Sequence, residues 1–262
     1  MSAFDTEWLD LREPVDGRAR DPGLLRKAAA FIQSAGRPVV VDIGSGTGST
    51  LRAVAPHIAR AVEWRLIDHD RRLLEEAARR HGHGGKMVCH RADLNDVASL
   101  PLQDASVVTA SALFDLCSQA FVEALATRLA ALQTGLYAAL SYDGRMDFEP
   151  AHPDDGAVLA LFNRHQQSDK GFGPALGPRS ADVLSKVFER AGYRIEIAGS
   201  DWILDRNAER LHRAFVDGVA KAVGETGGLS PERVAEWQRF RRENAGRCRI
   251  GHADVLALPS GA

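Results

Sequence analysis

The sequence predicts an α/β fold. It is a seven-stranded, mostly parallel sheet with helices on both faces, and extra helices precede strand one and separate strands six and seven. Two observations lead to it. Short β-branched runs alternate with helical patterns through the middle of the chain, the mark of parallel βαβ units. The run Val39-Val40-Val41-Asp42-Ile43-Gly44-Ser45-Gly46-Thr47-Gly48 then leads from a strand through an acid into a glycine turn. Such a turn at the start of a helix presents bare backbone N–H groups to a ligand.

The elements follow in order. Asp21-Pro22 opens a helix as cap and first-turn proline, and Leu24, Leu25, Ala28, Phe31 and Ile32 give it an apolar face. Strand one is Val39 to Ile43, followed by a helix to about His57. Strand two covers Val62 to Ile67, and the helix Arg71 to His81 carries Leu73, Leu74, Ala77 and Ala78 on one side. Strand three is Met87 to Arg91 and strand four Ser106 to Ala110. A helix from Gln119 to Leu132 precedes strand five, Leu136 to Tyr142. The polar stretch Asp143 to Pro153 predicts a loop, and Asp154 to Gln167 a helix. Glycines and prolines exclude regular structure from Ser168 to Pro178. Ser180 is expected to cap a helix to Ala191, and strand six is Arg194 to Ala198. Two amphipathic helices follow, Ala208 to Val223 and Pro231 to Ala245, before a last strand, Cys248 to Ala257.

Bulk properties narrow the function. With 45% hydrophobic and 26% charged residues, the composition is that of a soluble globular protein. A formal charge of −2 argues against coating nucleic acid, which needs clustered excess base. No window reads as a membrane span and the N-terminus does not read as a signal peptide, so a cytoplasmic setting is expected. Cys89, Cys117 and Cys248 are too scattered for a disulfide framework or a C-x-x-C site. His81, His83 and His90 lack acids or cysteines at ligand spacing, so no metal is expected.

The glycines fall as G-x-G-x-G, not as the G-x-G-x-x-G of dinucleotide folds. Asp42 beside that turn would repel a pyrophosphate but suits a ligand carrying positive charge. D-x-G-x-G-x-G after a hydrophobic strand resembles the first motif of class I (Rossmann-like) S-adenosylmethionine-dependent methyltransferases. Further residues carry the resemblance. Trp64-Arg65-Leu66-Ile67 ends in Asp68, and Met87-Val88-Cys89-His90 leads to Arg91-Ala92-Asp93-Leu94. Ser106 to Ala110 opens on Ser111-Ala112-Leu113-Phe114-Asp115-Leu116. The match runs from Val39 to Tyr142.

The resemblance implies S-adenosyl-L-methionine as cofactor. It assigns Asp42, Gly44, Ser45, Gly46 and Gly48 to the amino acid and ribose region. Asp68 would hold the ribose, with His69 either stacked on the purine or solvated. Asp93 and Leu94 would face the adenine, and Ser111 would lie beside the transferred methyl. Arg20 would pair with the methionine carboxylate or with an acidic acceptor, unless its segment is only a docked surface element. The chain then reads as one domain, 1–262. Residues 1–36 are a helical cap, 37–142 the cofactor-binding core and 143–180 a lid and acceptor region; 181–262 complete the sheet around helices inserted at 206–245.

Methyl transfer asks chiefly for alignment of the nucleophile and exclusion of water, and for a base only if the acceptor keeps its proton. Phe172 is placed to cover an acceptor, and Asp115, Tyr142, His165 and Lys170 to reach the methyl end. His165 has the ordinary pKa nearest neutrality and is the first candidate base, with Asp115 and Lys170 as further catalytic candidates. Its competing reading is a helix-surface histidine. The arginines from Arg239 to Arg249 read as a solvated face, and Trp202 and Trp237 as anchors for the added helices.

The expected activity is methylation of a small organic acceptor. A protein or RNA acceptor, and a non-catalytic binding protein, stand as alternatives. Against amino-methylating enzymes, the segment after strand four is Ser111-Ala112-Leu113-Phe114 rather than N-P-P-[YF]. A nicotinamide-dependent dehydrogenase fits the glycine spacing less well. The two late helices form part of the acceptor pocket or a homodimer surface, and neither nucleic acid nor membrane is expected as a partner.

Overall fold

A computed structural model describes residues 6–81, 86–244 and 246–261. The predicted His83 and the helix end at Ala245 lie outside them. Two helices come first, α1 (Thr6–Ala19) and α2 (Pro22–Ser34). Asp21 caps α2 by accepting from the Leu24 N–H at 2.7 Å. There follow β1 (Val39–Ile43), α3 (Ser49–Val54), β2 (Glu63–Asp68), α4 (Arg71–His81), β3 (Lys86–Arg91) and β4 (Val107–Ser111). Next are α5 (Gln119–Leu132), β5 (Gly135–Glu149), α6 (Asp155–Gln166), α7 (Ser180–Arg190) and β6 (Tyr193–Gly199). The chain closes with β7 (Trp202–Leu204), α8 (Glu209–Thr226), α9 (Pro231–Glu243) and β8 (Arg247–Pro259).

The sheet order is β3-β2-β1-β4-β5-β8-β6, with the short β7 paired to β8 off that path. β3, β2, β1, β4 and β5 run parallel, and β8 is antiparallel to β5, β6 and β7. The chain's direction of growth reverses between β1 and β4, and ligands bind outside the carboxyl ends of strands at such a switch point. One face of the sheet packs on Leu24, Leu25, Ala28 and Ile32 of α2 and on Val216 and Val219 of α8. The other packs on Phe121, Leu125 and Leu129 of α5 and on Leu184 and Phe188 of α7. The late helices α8 and α9 are the insertion expected between strand six and the last strand.

Three expectations are corrected. Asp143 to Glu149 is strand, not loop: β5 continues against Arg247–Ile250 of β8 after register shifts between Ala138 and Ser141 and between Tyr142 and Met146. A polar surface strand at a sheet's end has no apolar alternation to reveal it. Ser180 begins α7 without capping it, and its hydroxyl is buried without a partner. Arg241 is not on a solvated face; it is 1% exposed, bonded to Asp155 and the Pro150 carbonyl, with Phe148 under its guanidinium. Trp237 also donates to Asp155, at 2.9 Å, and so anchors α9 on α6.

A buried carboxylate fixes the start of the chain to the sheet. Asp254 of β8 accepts from the Leu140 N–H at 2.8 Å, the Asp21 N–H at 3.0 Å and the Tyr137 hydroxyl at 3.1 Å. Leu140 has φ +57°, so β5 kinks there and its N–H leaves the ladder to meet Asp254. Asp254→Ala strands three buried donors. It should lower unfolding free energy by about 3–5 kcal/mol in urea titration; a loss under about 1 kcal/mol contradicts this role.

Candidate active site

The crevice is built from the end of β1. Asp42 is fully buried, and its Oδ1 accepts from Thr109 Oγ1 of β4 at 2.7 Å. Its Oδ2 has no hydrogen-bond partner. Burial pushes the Asp42 carboxyl up to about 7, against the pull of Thr109, Arg20 and Thr50, while Asp68 pushes it the same way as burial. The turn that follows needs glycine. Gly44 has φ +61°, and a Cβ there would meet Leu113 at 3.1 Å. At Gly46, φ +52°, a Cβ would meet Leu9 of α1 at 3.4 Å.

Asp68 ends β2 beside this turn. It accepts from the Gly46 N–H and the Asp70 N–H, both at 2.9 Å, which leaves lone pairs for a ligand. His69 is half-exposed, with Nδ1 3.3 Å from Asp68. Ser111 ends β4, and its hydroxyl accepts from Arg20 Nη2 at 3.0 Å. Arg20 is 4% exposed, yet its Nε and Nη1 have no partner, and the Ser45 hydroxyl is also buried and unpaired. Buried polar groups are almost always bonded. Unspent guanidinium N–H groups near an unspent carboxylate oxygen therefore mark a place built for a polar ligand.

Helix α1 lies over the turn. Glu13 pairs with Arg52 at 2.6 Å, and Arg52 in turn donates to the Thr47 carbonyl at 2.7 Å. Asp16 accepts from Arg12 at 2.9 Å and from Trp202 Nε1 at 2.8 Å. Leu9, Arg12 and Asp16 close a cavity of about 40 Å³ against Gly44–Thr47 and Ser111. A larger cavity, about 610 Å³, lies at the amino-terminal ends of β1 and β2 between Arg37, Trp64 and Lys86. It is away from every strand-end acid, so its size carries no argument here.

The remaining sequence candidates divide. Asp93 is exposed and accepts from the Asn95 N–H and side chain at 3.0 Å, while Asn95 also donates to the Gly171 carbonyl. Leu94 is buried in the core beneath α5. Asp115 is buried beyond β4, with Oδ1 unpartnered, and burial pushes its carboxyl up to about 6. The Leu176 and Gly177 N–H groups donate to the Cys117 and Asp115 carbonyls at 2.8 and 2.9 Å, so the irregular segment lies against this loop. Phe172 turns away to pack its ring on Phe121 of α5. His165 and Lys170 form a separate group. His165 Nε2 is 2.9 Å from Glu225 of α8, and Lys170 Nζ is 3.4 Å from His165 Nδ1.

Arg12 and Asp16 line this crevice and Thr109 bonds its buried acid, while Asp254 anchors the strand behind it; none of the four was singled out individually from the sequence. Thr109 and Asp254 carry a readable signal, a polar or charged residue inside an otherwise apolar strand. Arg12 and Asp16 carry none, because their place depends on how α1 docks. Among the described residues, no group of three or more His, Cys, Asp or Glu is arranged to hold a metal ion. No described helix is long and apolar enough to cross a membrane.

Comparison with known proteins agrees with this geometry. Residues 40–135 match a family profile described as a methyltransferase domain. No curated protein matches the chain in sequence. Among solved structures, the cyclopropane synthase MmaA2 of Mycobacterium tuberculosis is 10% identical with a TM-score of 0.54, covering 97% of this chain and 94% of that one. The YcgJ protein of Bacillus subtilis is 13% identical with a TM-score of 0.52, covering 91% and 99%. A candidate methyltransferase of Bacillus halodurans is 14% identical with a TM-score of 0.51, covering 89% and 96%. At these identities the likeness is one of fold.

Asp42 generates a test of its own. A carboxyl raised in the folded state gives stability that is present below about pH 4, its unfolded pKa, and lost as pH rises through about 7. Asp42→Asn should remove that slope, of order 1 kcal/mol per pH unit. The variant should therefore outlast the wild type in thermal melts above neutrality; parallel melting curves from acid to alkaline pH contradict it.

Proposed function

We propose that this chain, whose residues 40–135 match a methyltransferase domain, is a class I, S-adenosylmethionine-dependent methyltransferase that methylates a small organic acceptor beneath α1. The observation that carries the reading is the pair of unspent buried groups at the switch point. An amino acid end is zwitterionic: its carboxylate suits a free N–H of Arg20, at Nε or at Nη1, and its ammonium suits Asp42 Oδ2. The residues present therefore fit this cofactor. When bound, it supplies a methyl carbon already activated by a sulfonium.

The chain's own residues bind and orient. Asp68 takes the ribose hydroxyls on its free lone pairs, with His69 at the purine and the turn Gly44–Gly48 supporting the amino acid end. Asp93 receives the adenine amino group; Leu94 backs that loop from the core. Ser111 and Arg20 sit where the methyl end would face the acceptor. The present cavity, about 40 Å³, holds little more than a water molecule. Entry therefore requires α1 to lift, and its return excludes water.

The cover supports a small acceptor over a macromolecule. α1 lies on the turn, and Leu176 and Gly177 are tied to the loop after β4. The segment 168–178 acts in this reading as a wall of the acceptor region. Asp115 lines the methyl end, whereas His165 and Lys170 stand with Glu225. Replacing His165 by Ala should accordingly leave turnover at saturating acceptor within about twofold.

Titration calorimetry should show binding of S-adenosylmethionine and its demethylated product but not of NAD. Arg20→Ala should weaken that binding by about 10–100-fold, the value of one charged hydrogen-bonding group. Label from a methyl-labelled cofactor should enter the small-molecule fraction of a cell extract. Label in protein or RNA instead would replace the acceptor class, and tight NAD binding would remove the reading.

A further inference from the structure

We propose that His252 takes the proton from the acceptor's nucleophile, and that this acceptor is a molecule presenting a hydroxyl or amine rather than an anion. The inference rests on the methyltransferase reading and assigns the site a residue that no sequence motif marks.

His252 stands opposite Tyr142 of β5, on β8, which lies between β5 and β6 in the sheet. It is 6% exposed, with its ring centroid 5.0 Å from that of Trp202 and 6.1 Å from that of Tyr142. Its Nδ1 lies 3.1 Å from the Ile250 carbonyl. A carbonyl can only accept, so Nδ1 carries the proton and Nε2 keeps a bare lone pair. The ring is thus held in one tautomer by the backbone, an arrangement that prepares a base.

Burial keeps it neutral. Burial is the main cause, and Arg12 of α1 adds to it, lowering the imidazole to about 4; Asp16 and Asp143 pull the other way. Asp201 accepts the His252 backbone N–H at 3.3 Å and is itself paired with Arg145 and Arg249. Arg12, which lines the cavity, also pulls the Asp115 carboxyl down against its burial.

With the free N–H groups of Arg20 given to the cofactor's carboxylate, three further donors near this place are already spent. Arg12 and Trp202 Nε1 are bonded to Asp16, and the Tyr142 hydroxyl to Asn163 at 2.8 Å. What remains is the ring nitrogen of His252 that does not meet Ile250, and the unpartnered Oδ1 of Asp115. Both accept hydrogen bonds, so they select a ligand that donates them and disfavour a carboxylate or phosphate. In the transfer, the acceptor heteroatom bonds to the methyl carbon as the carbon–sulfur bond breaks, its electron pair staying on sulfur. The heteroatom's proton passes to Nε2.

The test uses His252→Asn, whose amide can still donate to Ile250 but which has no Nε2. With methyl-labelled cofactor and the small-molecule fraction of an extract, kcat should fall about 100-fold or more. Cofactor affinity should hold. The residual rate should climb with pH, because the acceptor must then ionise unaided, over a range where the wild type is flat. Unchanged kcat overturns the inference, and a wild type that labels no small molecule overturns it together with the proposed function. Independently of activity, long-range ¹H–¹⁵N spectra of the ligand-free protein near about pH 6 should place the proton on Nδ1. An imidazolium or an Nε2–H tautomer there overturns it.

Discussion

The carboxylate of Asp254 lies inside an antiparallel strand and binds the kinked Leu140 of β5, the Tyr137 hydroxyl and the first residue of the α2 cap. A charge in that position is costly unless it is hydrogen-bonded, and here three donors bond it. Satisfying it settles two other things at once. It bends β5 where the sheet meets the crevice, and it holds the α1–α2 junction against the strand ends. Arg20, one residue before that junction, is thereby delivered to Ser111 with half of its guanidinium still free.

From that anchor α1 runs across the glycine turn and is held on three sides. Glu13 pairs with Arg52 beside the turn, Asp10 with Arg80 of α4, and Asp16 takes Trp202 of β7. Ion pairs this exposed contribute little each. The helix is therefore tethered firmly at its C-terminal end and weakly along its length. That gradient is what a cover needs if it is to open without detaching, and it ties the stability of the N-terminal segment to access to the crevice.

Much of this was legible in the residues because it is local. β1 and its turn could be read from a β-branched run and glycine spacing, and the structure confirms left-handed φ values at Gly44, Gly46 and Gly48. The strand-end acids Asp42 and Asp68 fall together because parallel strands of similar length end on one edge. What escaped is non-local. The strand past Tyr142 owes its form to pairing with β8, not to its own pattern. The three-residue β7 is too short to show a period. Arg241 reads as one of several surface arginines until Asp155 and Phe148 enclose it. His165 looks suited to catalysis by its intrinsic pKa, yet its neighbours are Glu225 and Lys170.

The most direct test is a crystal structure with the demethylated cofactor, S-adenosylhomocysteine, bound. The account predicts the ligand's carboxylate on a free N–H of Arg20, its amine on Asp42, its ribose on Asp68 and α1 displaced from Gly46. Density for the ligand anywhere else, or within the crevice but with Arg20 and Asp42 still unpaired, would contradict it.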